Sequence, residues 1–179
     1  MIIRNTLFLL LASFILIAAS PGKTAYQPER SEYALKAAFL YRFTDYIEWP
    51  GDENDNFTIG ILGDSPMFQA LSDIARSKTV KGKHISVLRY DNITDVGNCE
   101  ILFVPHSATP PLDNVLSRMS GRQVLIVTEQ QGLGAKGAHI NFIEEDNRLK
   151  FEINIKAAVQ AKIRISSQLL QHAVIVGRD

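Results

Sequence analysis

The sequence predicts an α/β fold: a single domain with a mixed, largely parallel sheet and flanking helices, ending in a C-terminal β-hairpin and a long C-terminal helix. Three observations carry this. Short apolar runs bounded by turns recur along the chain: Phe57 to Leu62, His84 to Arg89, Glu100 to Val104 and Val124 to Val127. Helical stretches near 66–77 and 110–119 separate them, as crossovers between parallel strands require. The segment Leu149, Phe151, Ile153, Ile155 alternates with Lys150, Glu152 and Asn154, the pattern of a half-buried antiparallel strand.

The N-terminus has a different character. Arg4 gives it a basic start, Leu7 to Ala19 is apolar or small throughout, and Pro21-Gly22 breaks the run. These are the three parts of a secretory signal, so residues 1–20 are expected to be removed on export from the cytoplasm. A membrane anchor is the alternative, but thirteen residues fall short of the roughly 20 that span a bilayer. Residues 21–30 read as a flexible leader, and residues 31–179 as the working domain. Removing residues 1–20 takes away Arg4 from 19 bases and leaves 19 acids, a net charge of −1. That balance gives no reason to expect nucleic acid or an anionic membrane as a partner. Cys99 is the single cysteine, so no internal disulfide forms and no lipid-bearing cysteine ends the signal. Beside the apolar run 101–104 it reads as a buried small hydrophobe, with pairing between chains as the alternative.

Ser31 reads as the N-cap of a helix running to about Glu48 and stopped by Pro50-Gly51. It carries apolar groups on nearly every side: Leu35, Phe39, Phe43 and Tyr46 on one stripe, and Ala37, Leu40, Tyr41 and Ile47 on another. Six of the fifteen aromatics fall between Tyr33 and Trp49. Core packing explains most of them, and a partner or dimer surface including Phe39, Arg42 and Trp49 is the second reading. In the last third, a hairpin centred on Asp146-Asn147 pairs residues whose numbers sum to 293. Ile140 then faces Ile153 and Phe142 faces Phe151 on one side; Asn141 faces Glu152 and His139 faces Asn154 on the other. A helix over about 155–173 follows, with Ile155, Val159, Ile163, Ser166, Leu170 and Ala173 toward the core.

Little here suggests catalysis. Gly132 to Gly137 spells G-x-G-x-x-G, but a dinucleotide fingerprint must open a helix and this one leads into a strand. The four histidines have no metal-ligand spacing. Glu144, Glu145 and Asp146 sit at a hairpin tip, where solvation accounts for them. No catalytic residue, cofactor or metal site is expected. The one candidate pocket is the polar hairpin face with the helix behind it. There Arg164, with Glu152, Asn154 and Ser166 nearby, could hold an acidic or zwitterionic group. A plain structural ion pair between Arg164 and Glu152 is the alternative.

Two segments resemble the YfiR family of bacterial periplasmic regulators: Lys36 to Phe43 through Ile47-Glu48-Trp49-Pro50, and Phe151 to Ala158 continued by Arg164 to Ser167 and Leu169-Leu170. Cys99 to Phe103 and Gly132 to Gly137 fall between them in family order. The resemblance implies a non-catalytic repressor of an inner-membrane diguanylate cyclase, acting on the cyclase's periplasmic part to lower cyclic di-GMP and biofilm formation. It further implies an outer-membrane OmpA-like protein that sequesters the repressor, a possible homodimer, and in some members a small amino-acid-like ligand near the equivalent of Arg164. Ser166 stands where the best-known member has His, and Arg42 stands where Asn is expected. A sensor module working with a histidine kinase is the alternative function.

Overall fold

The computed structural model describes residues 28–49, 55–108 and 111–177. The expected signal (1–20), most of the leader and the Pro50-Gly51 stop lie outside the described residues. Helix α1 (Pro28–Phe43) is followed by β1 (Ile47–Glu48), β2 (Asn56–Leu62), α2 (Met67–Ala75), β3 (Thr79–Val80) and β4 (Lys83–Tyr90). After a single 3-10 turn come β5 (Ile101–Val104), α3 (Leu112–Met119), β6 (Leu125–Thr128), β7 (Ile140–Glu145) and β8 (Arg148–Asn154). The chain closes with α4 (Ile155–Gln160), β9 (Arg164–Ile165), α5 (Ser167–Leu170) and β10 (Val174–Val176).

Among the described residues eight strands form one sheet in the order β10-β8-β7-β6-β5-β2-β4-β3, and β4, β2, β5, β6 and β7 run parallel. Strand β5 is apolar throughout, and β6 is apolar up to Thr128, because both their faces are covered. Ile101 and Phe103 of β5, and Leu125 and Val127 of β6, pack on the side of α1 and α2. Leu102, Val104, Val124 and Ile126 pack on the side of α3. Cys99 is buried in that second core, and burial pushes its thiol up to about 11, so it is a packing residue.

The hairpin has the expected register: Ile140 pairs with Ile153, Asn141 with Glu152 and Phe142 with Phe151. The His139 carbonyl accepts from the Asn154 N–H at 3.0 Å, which continues the same sum. Asp146 and Asn147 both hold positive φ, 53° and 58°, the conformation that a two-residue hairpin turn demands and these residue types tolerate. Gly132 to Gly137 is a run of turns leading into β7, as its context required. Gly134 lies so close to Glu152 that a Cβ would strike the carboxylate.

Two expectations fail. The long helix over 155–173 is instead two short helices, α4 and α5, separated by β9 and followed by β10. Lys162 takes positive φ (58°), and the Ile163 N–H reaches back to the Ala158 carbonyl at 2.8 Å, the closing bond of a Schellman stop. Ser166 then caps α5 through the Gln168 N–H, 3.1 Å away. Val159, assigned to the core stripe, is 65% exposed. The second failure is at α1, which starts at Pro28 and ends at Phe43. Proline fits a first helical position, so residues 28–30, assigned to the leader, begin the helix, and Ser31 lies inside it rather than capping it. Ile47 and Glu48 leave the helix to pair with Ile165 and Arg164.

His139 ties β7 to β6. Its backbone N–H donates to Ile126, and its Nδ1 accepts from the Ile126 N–H at 3.0 Å. Burial lowers the imidazole pKa from 6.5 to about 4. Above pH 6.5 the ring is neutral folded or unfolded; between 6.5 and 4 only the unfolded chain takes the proton. Stability is therefore complete above about 6.5 and falls with pH, by about 3 kcal/mol once pH is below about 4. Urea unfolding from about pH 7 to about pH 4 is expected to show this one-proton loss, and His139→Asn is expected to lack it.

Candidate functional site

A groove of about 570 Å³ runs along the outer side of α1, between that helix and α5. Its floor is aromatic. Phe43 is buried with its ring centroid 4.8 Å from Phe151 and 5.8 Å from Phe142, and Phe39 leans on both Phe43 and Phe151 at 6.2 and 6.0 Å. Leu35 forms the rim and is 48% exposed. Arg42, Gln168, Gln171 and His172 supply polar groups around the apolar floor. The Arg42 guanidinium pairs with Asp45 at 3.1 Å and stays in solvent.

The groove follows from α1's own residue pattern. Tyr33, Lys36, Ala37, Leu40, Phe43 and Thr44 are buried against the sheet, at helical spacing. Leu35 and Phe39 lie on the next stripe round, which no described element fully covers. Of the residues picked out from the sequence, Phe39 and Arg42 meet here.

The others are elsewhere. Arg164 does not reach Glu152: its guanidinium lies 3.3 Å from Glu48 across the β1–β9 pair. Both partners are largely exposed (82% and 71%), so Arg164→Ala is expected to cost under about 1 kcal/mol and to move the thermal midpoint by no more than about 3 °C. Glu152 instead accepts from the Asn141 amide at 2.7 Å, and Asn141 in turn accepts from the Thr128 hydroxyl at 2.6 Å. This polar relay runs across β6, β7 and β8, from buried Thr128 and Asn141 to half-buried Glu152, and satisfies groups that would otherwise be costly to bury. Asn154 caps α4 through the Ala157 N–H at 2.9 Å and donates to the Gly134 carbonyl at 2.8 Å. Ser166 caps α5, and its N–H donates to the Tyr46 carbonyl. Trp49 sets its ring edge-on to Phe57 at 5.0 Å and donates Nε1–H to the Thr44 carbonyl. Glu152, Asn154, Ser166 and Trp49 thus have structural work, and the expected pocket among Arg164, Glu152, Asn154 and Ser166 does not assemble.

Sequence reasoning missed one buried cluster. The Glu129 side chain, 1% exposed, sits just past the end of β6 and accepts from Lys36 Nζ at 2.6 Å, the Tyr33 hydroxyl at 2.8 Å and the His106 N–H at 3.3 Å. Burial opposes the Lys36 charge, but the hydrogen bonds it donates to Glu129 and Glu32 outweigh it and raise the ammonium pKa. Burial, then the hydrogen bond to Glu129, raises the Tyr33 phenol. A lysine on an otherwise apolar helix face was the one available signal.

No helix among the described residues is long and apolar enough to cross a membrane. The comparison with curated proteins gives no match. Among solved structures, the chain is similar to the ABC domain in complex with L-Trp from Streptococcus pneumonia, at a TM-score of 0.55 and 13% identity. That likeness covers 80% of this chain and 60% of the other, so the chain spans about three fifths of that structure, and at such identity it speaks for the fold alone. The sequence resemblance is specific: residues 33–174, from α1 to β10, match a single family pattern. The chain belongs to the YfiR/HmsC-like family.

Proposed function

We propose that this protein is a non-catalytic periplasmic regulator of cyclic di-GMP signalling. In this reading it binds the periplasmic part of an inner-membrane diguanylate cyclase and represses it. The observation that carries the reading is the family match over residues 33–174. The α1–α5 groove is the surface to which we assign the contact. Its aromatic floor and exposed Leu35 suit an apolar helix or loop from a partner, and its polar rim suits an interface that must also dissociate. An OmpA-like outer-membrane protein that captures the repressor would lift the block by mass action, because whichever partner holds it sets the cyclase state. Homodimerisation through the same groove would compete with both.

The sensor reading depends on a small-ligand pocket around Arg164, and the separation of Arg164 from Glu152 weakens it. The repressor reading needs no such pocket.

Deleting the gene is expected to raise cyclic di-GMP, and the protein is expected to co-purify with a membrane cyclase. Leu35→Glu places a charge on an exposed rim position, so it should leave folding nearly unchanged while reducing capture at least tenfold. An unchanged nucleotide level together with no cyclase in the purification would overturn the repressor reading.

A further inference from the structure

A second cavity lies on the opposite side of the sheet from the α1 groove, with a volume of about 330 Å³. It is bounded by the end of α3, the turn that follows it, the stretch 136–139 and α4. Leu116, Met119, Val124, Ala157 and Ala161 give it apolar walls. Gly137 keeps one wall open: at its φ of +112°, a Cβ would come within 2.9 Å of Leu116 Cδ1.

One polar group in this cavity has no partner among the described residues. His139 is 5% exposed and its Nδ1 is taken up as acceptor by the Ile126 N–H, so the neutral ring carries its proton on Nε2. No described group accepts from Nε2. Among the described residues no fully buried side-chain nitrogen or oxygen lacks a partner, so Nε2–H is reached from the cavity that the ring lines. Burial keeps the ring neutral, a donor rather than a cation, at any pH well above 4.

The charges around it are of one sign. Lys136 lines the cavity and has no acidic partner among the described residues. Arg122 lines it too, and gives its guanidinium to the carbonyls of Val96 and Gly97 rather than to a carboxylate. No Asp or Glu among the described residues lines the cavity. An amino acid would leave its ammonium unmatched, and a phosphate asks for more donors than one imidazole N–H and one lysine supply.

We propose that this cavity binds a small monocarboxylate with an apolar tail, the carboxylate on His139 Nε2–H and Lys136 Nζ and the tail along Leu116, Met119 and Ala161. The site is separate from the α1 groove and does not depend on the repressor reading.

The test uses hexanoate as probe and hexanamide as its uncharged control, with the purified protein followed by the His139 ring signals in NMR. Hexanoate is expected to shift those signals with a dissociation constant of about 1 mM, and hexanamide at least about tenfold more weakly. Lys136→Gln, at an exposed position, is expected to weaken hexanoate about fivefold. Ala161→Leu fills the cavity and is expected to abolish the shift. No shift at His139 with hexanoate at about ten times that concentration would sink the proposal, as would equal binding of hexanamide or full binding to Lys136→Gln.

Discussion

Phe43→Ala is expected to lower stability by about 4 kcal/mol and the thermal midpoint by about 10 °C, in differential scanning calorimetry or urea unfolding. Phe43 is 1% exposed and stands where α1 meets the hairpin. Its ring is 4.8 Å from Phe151 on β8 and 5.8 Å from Phe142 on β7, so truncation removes a whole aromatic ring from between three elements. The backbone of β7 and β8 is held by its own ladder and cannot close over the void, so most of the cavity cost stays. Phe43→Leu refills much of that volume and is expected to cost under half as much. An alanine variant that unfolds within about 1 kcal/mol of the parent would show that α1 is not seated on the hairpin through this ring. Phe43 also floors the groove, so capture of a partner should fall in the alanine variant more than in the leucine one.

Much of the fold was legible because its elements obey one period each. Ile101 to Val104 has no polar residue, and a four-residue strand can be that apolar only with both faces covered. The hairpin register could be counted because side chains alternate with period two and Asp146-Asn147 is a turn pair that accepts positive φ. The same counting misled at residues 155–173. Apolar groups there recur every three or four positions, yet Lys162 adopts a left-handed conformation that glycine usually marks, so nothing local announced the break. Strand β1 was hidden for a different reason. Two residues carry no periodic signal, and Ile47 pairs with Ile165 only because the break turns that segment back toward α1.

The candidate site was legible only in part. Phe39 and Arg42 stood out within an aromatic-rich helix, and they do share the groove. The pairing of Arg164 with Glu152 rested on nearness in sequence, and the strand pairing at β9 sends the arginine to Glu48 instead. Lys36 and Glu129 are 93 residues apart, and each looks like a solvated charge when read alone.

That hidden pair sets the other large effect. Lys36→Met is expected to destabilise the protein by about 3 kcal/mol, because it strands the Glu129 carboxylate in a site where it is 1% exposed. Tyr33 and the His106 N–H still donate to Glu129, which keeps the loss below that of a wholly unpartnered charge. The double variant Lys36→Met/Glu129→Leu removes both charges from the same space and is expected to regain most of the stability. A double-mutant cycle should give a coupling above about 1.5 kcal/mol; two additive losses would mean the pair is not formed in solution. The cycle also separates two roles for α1. Lys36 fastens the helix over the end of β6, and Leu35 beside it forms the rim of the groove on the next stripe. If the pair serves only to hold the helix, partner capture should weaken in Lys36→Met and return in the double variant along with stability. Capture that stays low after stability returns would place Lys36 or Glu129 in the partner contact itself.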